Sequence, residues 1–205
     1  PMSAYTLTIE HVLKHPVRDI HPIAWSLFYH MRYAAHPVPD AVLYAMMIRA
    51  CAAGVPQPNT MPLRRKRTME ADAERALDLF REMTVHHGVR PNKEVYDSLI
   101  LTCARRKDHY AGALRLLHEL VEGDHTRLWP DAYTYNAVLQ GSARHGDLTT
   151  ARWILADMVR SVMADAHRLR RPNEDTLAHV FWTYAVYQPP IDRHQLSSIE
   201  ATQSS

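Results

Sequence analysis

The sequence predicts an all-α chain, a solenoid of antiparallel helix pairs, and three observations predict it. Thirteen prolines stand against six glycines, with few β-branched runs, a balance that favours proline-punctuated helices over a sheet turned by glycine. An alanine followed at three, four and seven residues by large apolar side chains occurs four times, at Ala24, Ala76, Ala113 and Ala151. That spacing puts the apolar groups on one helical stripe, with the alanine admitting a close neighbour. A helix stop followed by a cap residue also occurs four times, as Pro39 with Asp40, Pro91 with Asn92, Pro130 with Asp131, and Pro172 with Asn173. Self-similarity at such a period marks a repeat architecture.

The clearest unit runs from 130 to 173. Pro130 ends what precedes it, Asp131 caps, an apolar-periodic helix spans Tyr133 to Ala143, Gly146 turns the chain, and a second helix runs from Leu148 to before Pro172. Aligned on it, one solenoid covers residues 5 to 187. Its units are 5 to 40, which is divergent, 41 to 92, 93 to 131 and 132 to 173, followed by the first helix of a fifth at 174 to 187. The first helices share a stripe such as Val95, Tyr96, Leu99, Ile100 and Cys103. Tyr44, Tyr96 and Tyr135 are equivalent, with Leu177 in the last unit, and each hydroxyl needs a partner near the edge of the core. Residues 55 to 72, with three prolines and four consecutive basic residues, read as an extended, solvated loop inserted in the second unit. The polar stretch 188 to 205 reads as a disordered tail.

Composition narrows the function. With 46% apolar residues the chain has material for a core, and its net charge of +2 names no partner by itself. The basic residues are blocked at Arg64, Arg65, Lys66 and Arg67, at Arg105, Arg106 and Lys107, and at Arg168, Arg170 and Arg171. Two distant cysteines give neither a disulfide framework nor a zinc pattern. Cys51, Cys103 and Ser142 are equivalent, so the thiols are expected in the core. His11 and His15 lie one helical turn apart without a third ligand, so no metal is expected. No apolar run approaches the ~20 residues of a bilayer span. No phosphate loop, nucleophile elbow or zinc-deaminase motif occurs, so an enzyme is not expected and no cofactor is implied. The chain opens on Pro1 with no initiator Met and no targeting segment, which reads as a piece of a longer protein.

The segment PDAYTYNAVLQGSARHGDLTTARWILADM closely resembles the pentatricopeptide repeat, in its Pro-Asp pair, first-helix Tyr-Asn, glycine between helices and Ala-x-x-Leu-Phe-x-x-Met second helix. PNKEVYDSLILTCARR with AGALRLLHEL matches well, and the unit at 39 to 92 matches at both ends. The resemblance covers about residues 20 to 185. It implies a right-handed, tetratricopeptide-like superhelix that binds single-stranded RNA in mitochondria or plastids, as a monomeric factor in organellar RNA processing, stability or translation. A stack of repeats lines its first helices along one concave surface, where unstacked bases can be addressed one by one.

The resemblance also implies roles. The residue after the first-helix tyrosine and the last residue of the unit contact the base edge. These are Ala45 with Asn92, Asp97 with Asp131, and Asn136 with Asn173. The two asparagines both donate and accept, a combination resembling one that prefers pyrimidines. Ala45 cannot hydrogen-bond a base, and the carboxylates of Asp97 and Asp131 are expected to repel phosphate. Two residues after each Pro-Asp or Pro-Asn pair stands the residue that packs on base faces: Val42 and Tyr133 suit this, Glu94 and Asp175 do not. Arg64, Arg65, Lys66 and Arg67 either reach phosphates or form a solvated loop tip, while Arg168, Arg170 and Arg171 suit a helix C-terminus without any ligand. The mismatched pairs and near-neutral charge leave a second reading open, a protein-interaction scaffold of an organellar ribosome or respiratory-complex assembly. The tetratricopeptide signature Trp-x-x-Leu-Gly-x-x-Tyr is missing.

Overall fold

The computed structural model describes residues 2–14, 21–53, 55–56, 69–122, 128–163 and 171–189. Nine α-helices occupy the described residues, beginning with α1 (Met2–Lys14), α2 (His21–Ala34), α3 (Ala41–Ala52) and α4 (Ala73–Arg81). They continue with α5 (Lys93–Ala104), α6 (Tyr110–Glu122), α7 (Ala132–His145), α8 (Leu148–Met163) and α9 (Glu174–Val186). Consecutive helices pack as the pairs α1–α2, α3–α4, α5–α6 and α7–α8, and the first helices stack on one another in the row α3, α5, α7, α9. This is an α-solenoid.

The caps act where the sequence places them. Asp40, Asn92, Asp131 and Asn173 each accept from the backbone N–H three residues on, at 2.8, 3.0, 3.0 and 2.9 Å. Each such cap stabilises its helix by about 1 kcal/mol. Gly146 closes α7 in the left-handed region, with φ of 64°. In the outer helices the repeated stripe is buried: Ala24, Phe28 and Met31, then Ala76, Leu79 and Met83, then Ala113, Leu117 and Leu120, then Ala151, Ile154 and Met158.

A second repeat runs through the core. The hydroxyl of Tyr44 donates to Glu82 at 2.6 Å, that of Tyr96 to Glu119 at 3.0 Å and that of Tyr135 to Asp157 at 2.6 Å. In the first helix pair the equivalent Tyr5 meets His30 Nδ1 at 3.0 Å. Each acceptor stands six residues after the stripe alanine of its outer helix, so every pair is tied at its edge by a polar bond, with a buried ring behind it in the three pairs of Tyr44, Tyr96 and Tyr135. Burial and the facing carboxylate push the Tyr96 hydroxyl up to about 12.

Two features depart from the pattern. The outer helix of the second unit loosens into a π-helical turn over Glu82–His86, closed by the N–H of His87 donating to the carbonyl of Glu82. The inserted stretch is tied at its ends: Val55–Pro56 pairs antiparallel with Met69–Glu70, Ala71 is buried and Asp72 caps α4. The middle of the insertion, including Arg64, Arg65, Lys66 and Arg67, lies outside the described residues, as do His15, Arg168, Arg170 and most of the 188 to 205 tail. No described helix is long and apolar enough to cross a membrane.

Candidate nucleic-acid interface

The row of first helices gives the chain one face with a regular register, because α3, α5, α7 and α9 each begin one residue after their cap. The fifth residue of one helix therefore lies near the cap of the next. Asn136 on α7 donates from Nδ2 to Oδ1 of Asn173 at 3.0 Å, and its own Oδ1 accepts from the Thr176 hydroxyl at 2.7 Å. The predicted pair is thus brought together and held by a third residue of the capping box. Ala45 is buried, and Asn92 serves its cap.

The pair Asp97 and Asp131 is brought together in a different way. Lys93, the first residue of α5, reaches Asp97 Oδ2 at 2.5 Å and Asp131 Oδ2 at 2.8 Å. Thr134 completes the cluster, its hydroxyl donating to Asp97 Oδ1 at 2.6 Å. Burial pushes the Asp97 carboxyl above its ordinary range, against the hydrogen bonds from Lys93 and Thr134. Burial acts the same way on Asp131 and is outweighed there by Lys93 and the Thr134 backbone, which hold that carboxyl low. One ammonium thus stands against the two carboxylates from which the expected repulsion of phosphate arises. Sequence reasoning missed Lys93; its signal was an acid four residues on, the i, i+4 spacing of a helical ion pair.

Both predicted stacking residues line one cavity. Val42 and Tyr133, 41% and 39% exposed, share a space of about 260 Å³ with Arg49, Glu94, Asp97 and Asp131. The guanidinium of Arg49 lies 5.4 Å from the Tyr133 ring centroid, a cation–π distance. Glu94 on the same wall is exposed. A second space of about 550 Å³, between α1, α3 and α5, is lined by Lys14, Arg49 and Arg105 among others.

Arginines also form a ladder along this face. Arg105 donates to the Ala52 carbonyl at 2.7 Å and to Gln140 at 3.2 Å, and Arg144 donates to the Arg105 carbonyl at 3.0 Å. Burial, with the charges of Arg144 and Arg49 nearby, pulls the Arg105 guanidinium below its usual range. Arg105, the C-cap of α5, and Arg144, in the last turn of α7, stand equally far from the caps Asn92 and Asp131, a regularity the sequence contained and the reading by charge blocks passed over. Arg106, from the same block as Arg105, turns elsewhere, to Asp108 and Glu74. With His109 those two carboxylates form a group of metal-ligand type at the α4 N-terminus, where Arg106 already supplies the positive charge.

The thiols of Cys51 and Cys103 are buried, and burial pushes them up to about 12 and about 11. Ser142, their equivalent, is fully buried and donates to the Val138 carbonyl at 3.2 Å.

A family model described as "PPR repeat", the pentatricopeptide repeat, matches residues 133–161, the unit with the amide pair and the stacking tyrosine. Those residues are a pentatricopeptide repeat. Among the chain's relatives are proteins named "Mitochondrial 15S rRNA processing factor CCM1". The one from Candida tropicalis is 25% identical over 185 residues, 90% of this chain and 21% of that protein. The one from Yarrowia lipolytica is 31% identical over 140 residues, 68% of this chain and 16% of that protein. The chain thus spans about a fifth of the length of these relatives. In fold it is similar to the pentatricopeptide repeat protein PPR10, solved in complex with an 18-nt psaJ RNA element, with a TM-score of 0.59 at 21% identity, covering 90% of this chain and 22% of that one.

Proposed function

We propose that this chain is a single-stranded RNA-binding module of a mitochondrial RNA processing factor, which captures a transcript or ribosomal RNA on its inner face without itself doing chemistry. The observation that carries this reading is the Asn136–Asn173 amide pair, locked by Thr176, with Asn136 on the same helix as the exposed ring of Tyr133. Amides that both donate and accept can address a base edge, and an exposed ring offers a stacking surface. The ladder of Arg49, Arg105 and Arg144 supplies charge for the phosphates along the same face. The relatives' names support the mitochondrial setting and the processing role, and the RNA in the PPR10 structure supports the ligand. In this reading Asn136, Asn173, Asn92, Asp97 and Asp131 face base edges, Tyr133 and Val42 pack on bases, and the units divide at residues 40, 92, 131 and 173.

Anisotropy titration of the chain against single-stranded RNA at two salt concentrations tests the reading. Saturable binding that weakens with salt is expected, because neutralised phosphates release counterions. Absence of saturable binding would return the chain to the scaffold reading.

A further inference from the structure

We propose that Lys93 makes the space between α3, α5 and α7 a guanine-selective subsite, by holding Asp97 and Asp131 as a joint acceptor for a base edge with two adjacent donors. The proposal rests on the RNA-binding reading and goes beyond it, because it assigns a base to the unit whose paired carboxylates look least suited to nucleic acid.

The hydrogen-bond inventory decides the selectivity. Lys93 Nζ lies 2.5 Å from Asp97, 2.8 Å from Asp131 and 3.3 Å from the Thr134 hydroxyl, so its three hydrogens are committed. The single hydroxyl hydrogen of Thr134 goes to Asp97 Oδ1 at 2.6 Å. The donors at the heart of the cluster thus point at the carboxylates, and what the carboxylates have left to offer is lone pairs. One ammonium against two carboxylates leaves one negative charge, as a single acidic side chain would. Both carboxylates line the 260 Å³ space whose other walls include Tyr133 and Val42, while Ser98 and Arg49 bring donors to the same lining.

Among the bases guanine matches this pattern. Its pairing edge carries N1–H and the N2 amine side by side, with the O6 acceptor next to them. A carboxylate can take both donors, and Ser98 or Arg49 can serve O6. Adenine and cytosine each offer one amine beside an acceptor nitrogen, and uracil offers one N–H between two carbonyls, so each would set an acceptor against the carboxylate lone pairs. Lys93 is the positioning residue here: without it two bare carboxylates would repel each other and the phosphates. The Asn136–Asn173 pair, with donors and acceptors of its own, carries no such bias.

The test uses the whole chain with short oligouridines carrying one guanine at successive positions, beside matched series carrying inosine or adenine. Inosine keeps N1–H and O6 and lacks the N2 amine. At one register guanine is expected to bind about tenfold tighter than inosine or adenine, the order of a bidentate base contact. Lys93→Met and Asp97→Asn are expected to bring that ratio to within about twofold, and Lys93→Arg to retain most of it. Equal binding of all three bases at every position, with oligouridine still bound, overturns the guanine subsite and leaves the RNA-binding reading standing. Failure of every oligonucleotide to bind overturns the reading beneath it. A guanine preference that survives both Lys93→Met and Asp97→Asn overturns the assignment to this cluster. The wild-type series decides selectivity whether or not a variant folds.

Discussion

Two asparagines that the repeat alignment pairs are bonded to each other in the structure. Because Asn136 and Asn173 are already bonded to each other and to Thr176, the proposed base contact would find them preorganised rather than as two free rotors. Asn136→Ala is therefore expected to weaken binding by about 1–3 kcal/mol for a preferred RNA and by less for others. Equal loss on every sequence, read in parallel anisotropy titrations, would refute base reading at this position. A different residue sets a pH dependence. His145 packs its ring on Tyr110 at 4.5 Å between centroids, and its buried Nε2 has no partner among the described residues. Burial, then the charges of Lys107 and Arg144, hold its pKa below the ordinary imidazole value, and burial does the same to His179. The unfolded chain takes up these protons more readily than the folded one. Stability from these two groups is thus full above the unfolded imidazole pKa, about 6.5, and falls as the pH drops through it. Urea midpoints measured on either side of that value should decrease toward acid, and His145→Phe should flatten the slope. The equivalence of the tyrosines was legible in the sequence, and so was their need for a partner. The acceptors were not, and neither was the reach of Lys93 to Asp131, because each joins residues far apart in the chain; the i, i+4 half of the Lys93 bridge, to Asp97, was there to be read.

At the scale of the element, proline and cap residues carried most of the signal. Four helix starts follow from chemistry local to two residues, and the structure keeps all four caps. The π-helical turn at Glu82–His86 was not legible, since it differs from an α-helix by which carbonyl each N–H reaches rather than by composition. Close approach was also invisible. A Cβ added at Gly141 on α7 would stand 2.8 Å from the Tyr110 ring and 3.0 Å from the Ala104 carbonyl. Tyr110 cannot swing away freely, as its hydroxyl is bonded to Ser142 at 2.8 Å and Asp147 at 3.0 Å. Gly141→Ala would ordinarily favour a helix by roughly 1 kcal/mol. Here overpacking is expected to reverse the sign, for a net loss of about 1–2 kcal/mol in denaturant unfolding. Gly112, whose added Cβ would meet only the end of Arg115 at 4.0 Å, is the control and should gain stability on the same substitution.

At the scale of the whole molecule, a solenoid is nearly one-dimensional: each unit is stabilised by its own packing and by its immediate neighbours. Equivalent side chains should then differ in importance according to what stacks on them. Ile48, Ile100 and Leu139 occupy one position of α3, α5 and α7 and are fully buried, whereas Phe181 at the same position of α9 is 70% exposed. Leu177 and Tyr184, equivalent to buried residues of the earlier helices, are also open. The reason is positional, since α9 has α7 and α8 on one side and no outer helix of its own among the described residues. Leu139→Ala is expected to cost about 2–5 kcal/mol, as transfer and cavity terms combine. Phe181→Ala is expected to change stability by less than about 0.5 kcal/mol, because it vacates no packed site. Thermal and urea unfolding of the two variants measure the difference. A comparable loss from both would mean that the α9 face is covered in solution, and that stability does not fade toward this end of the row.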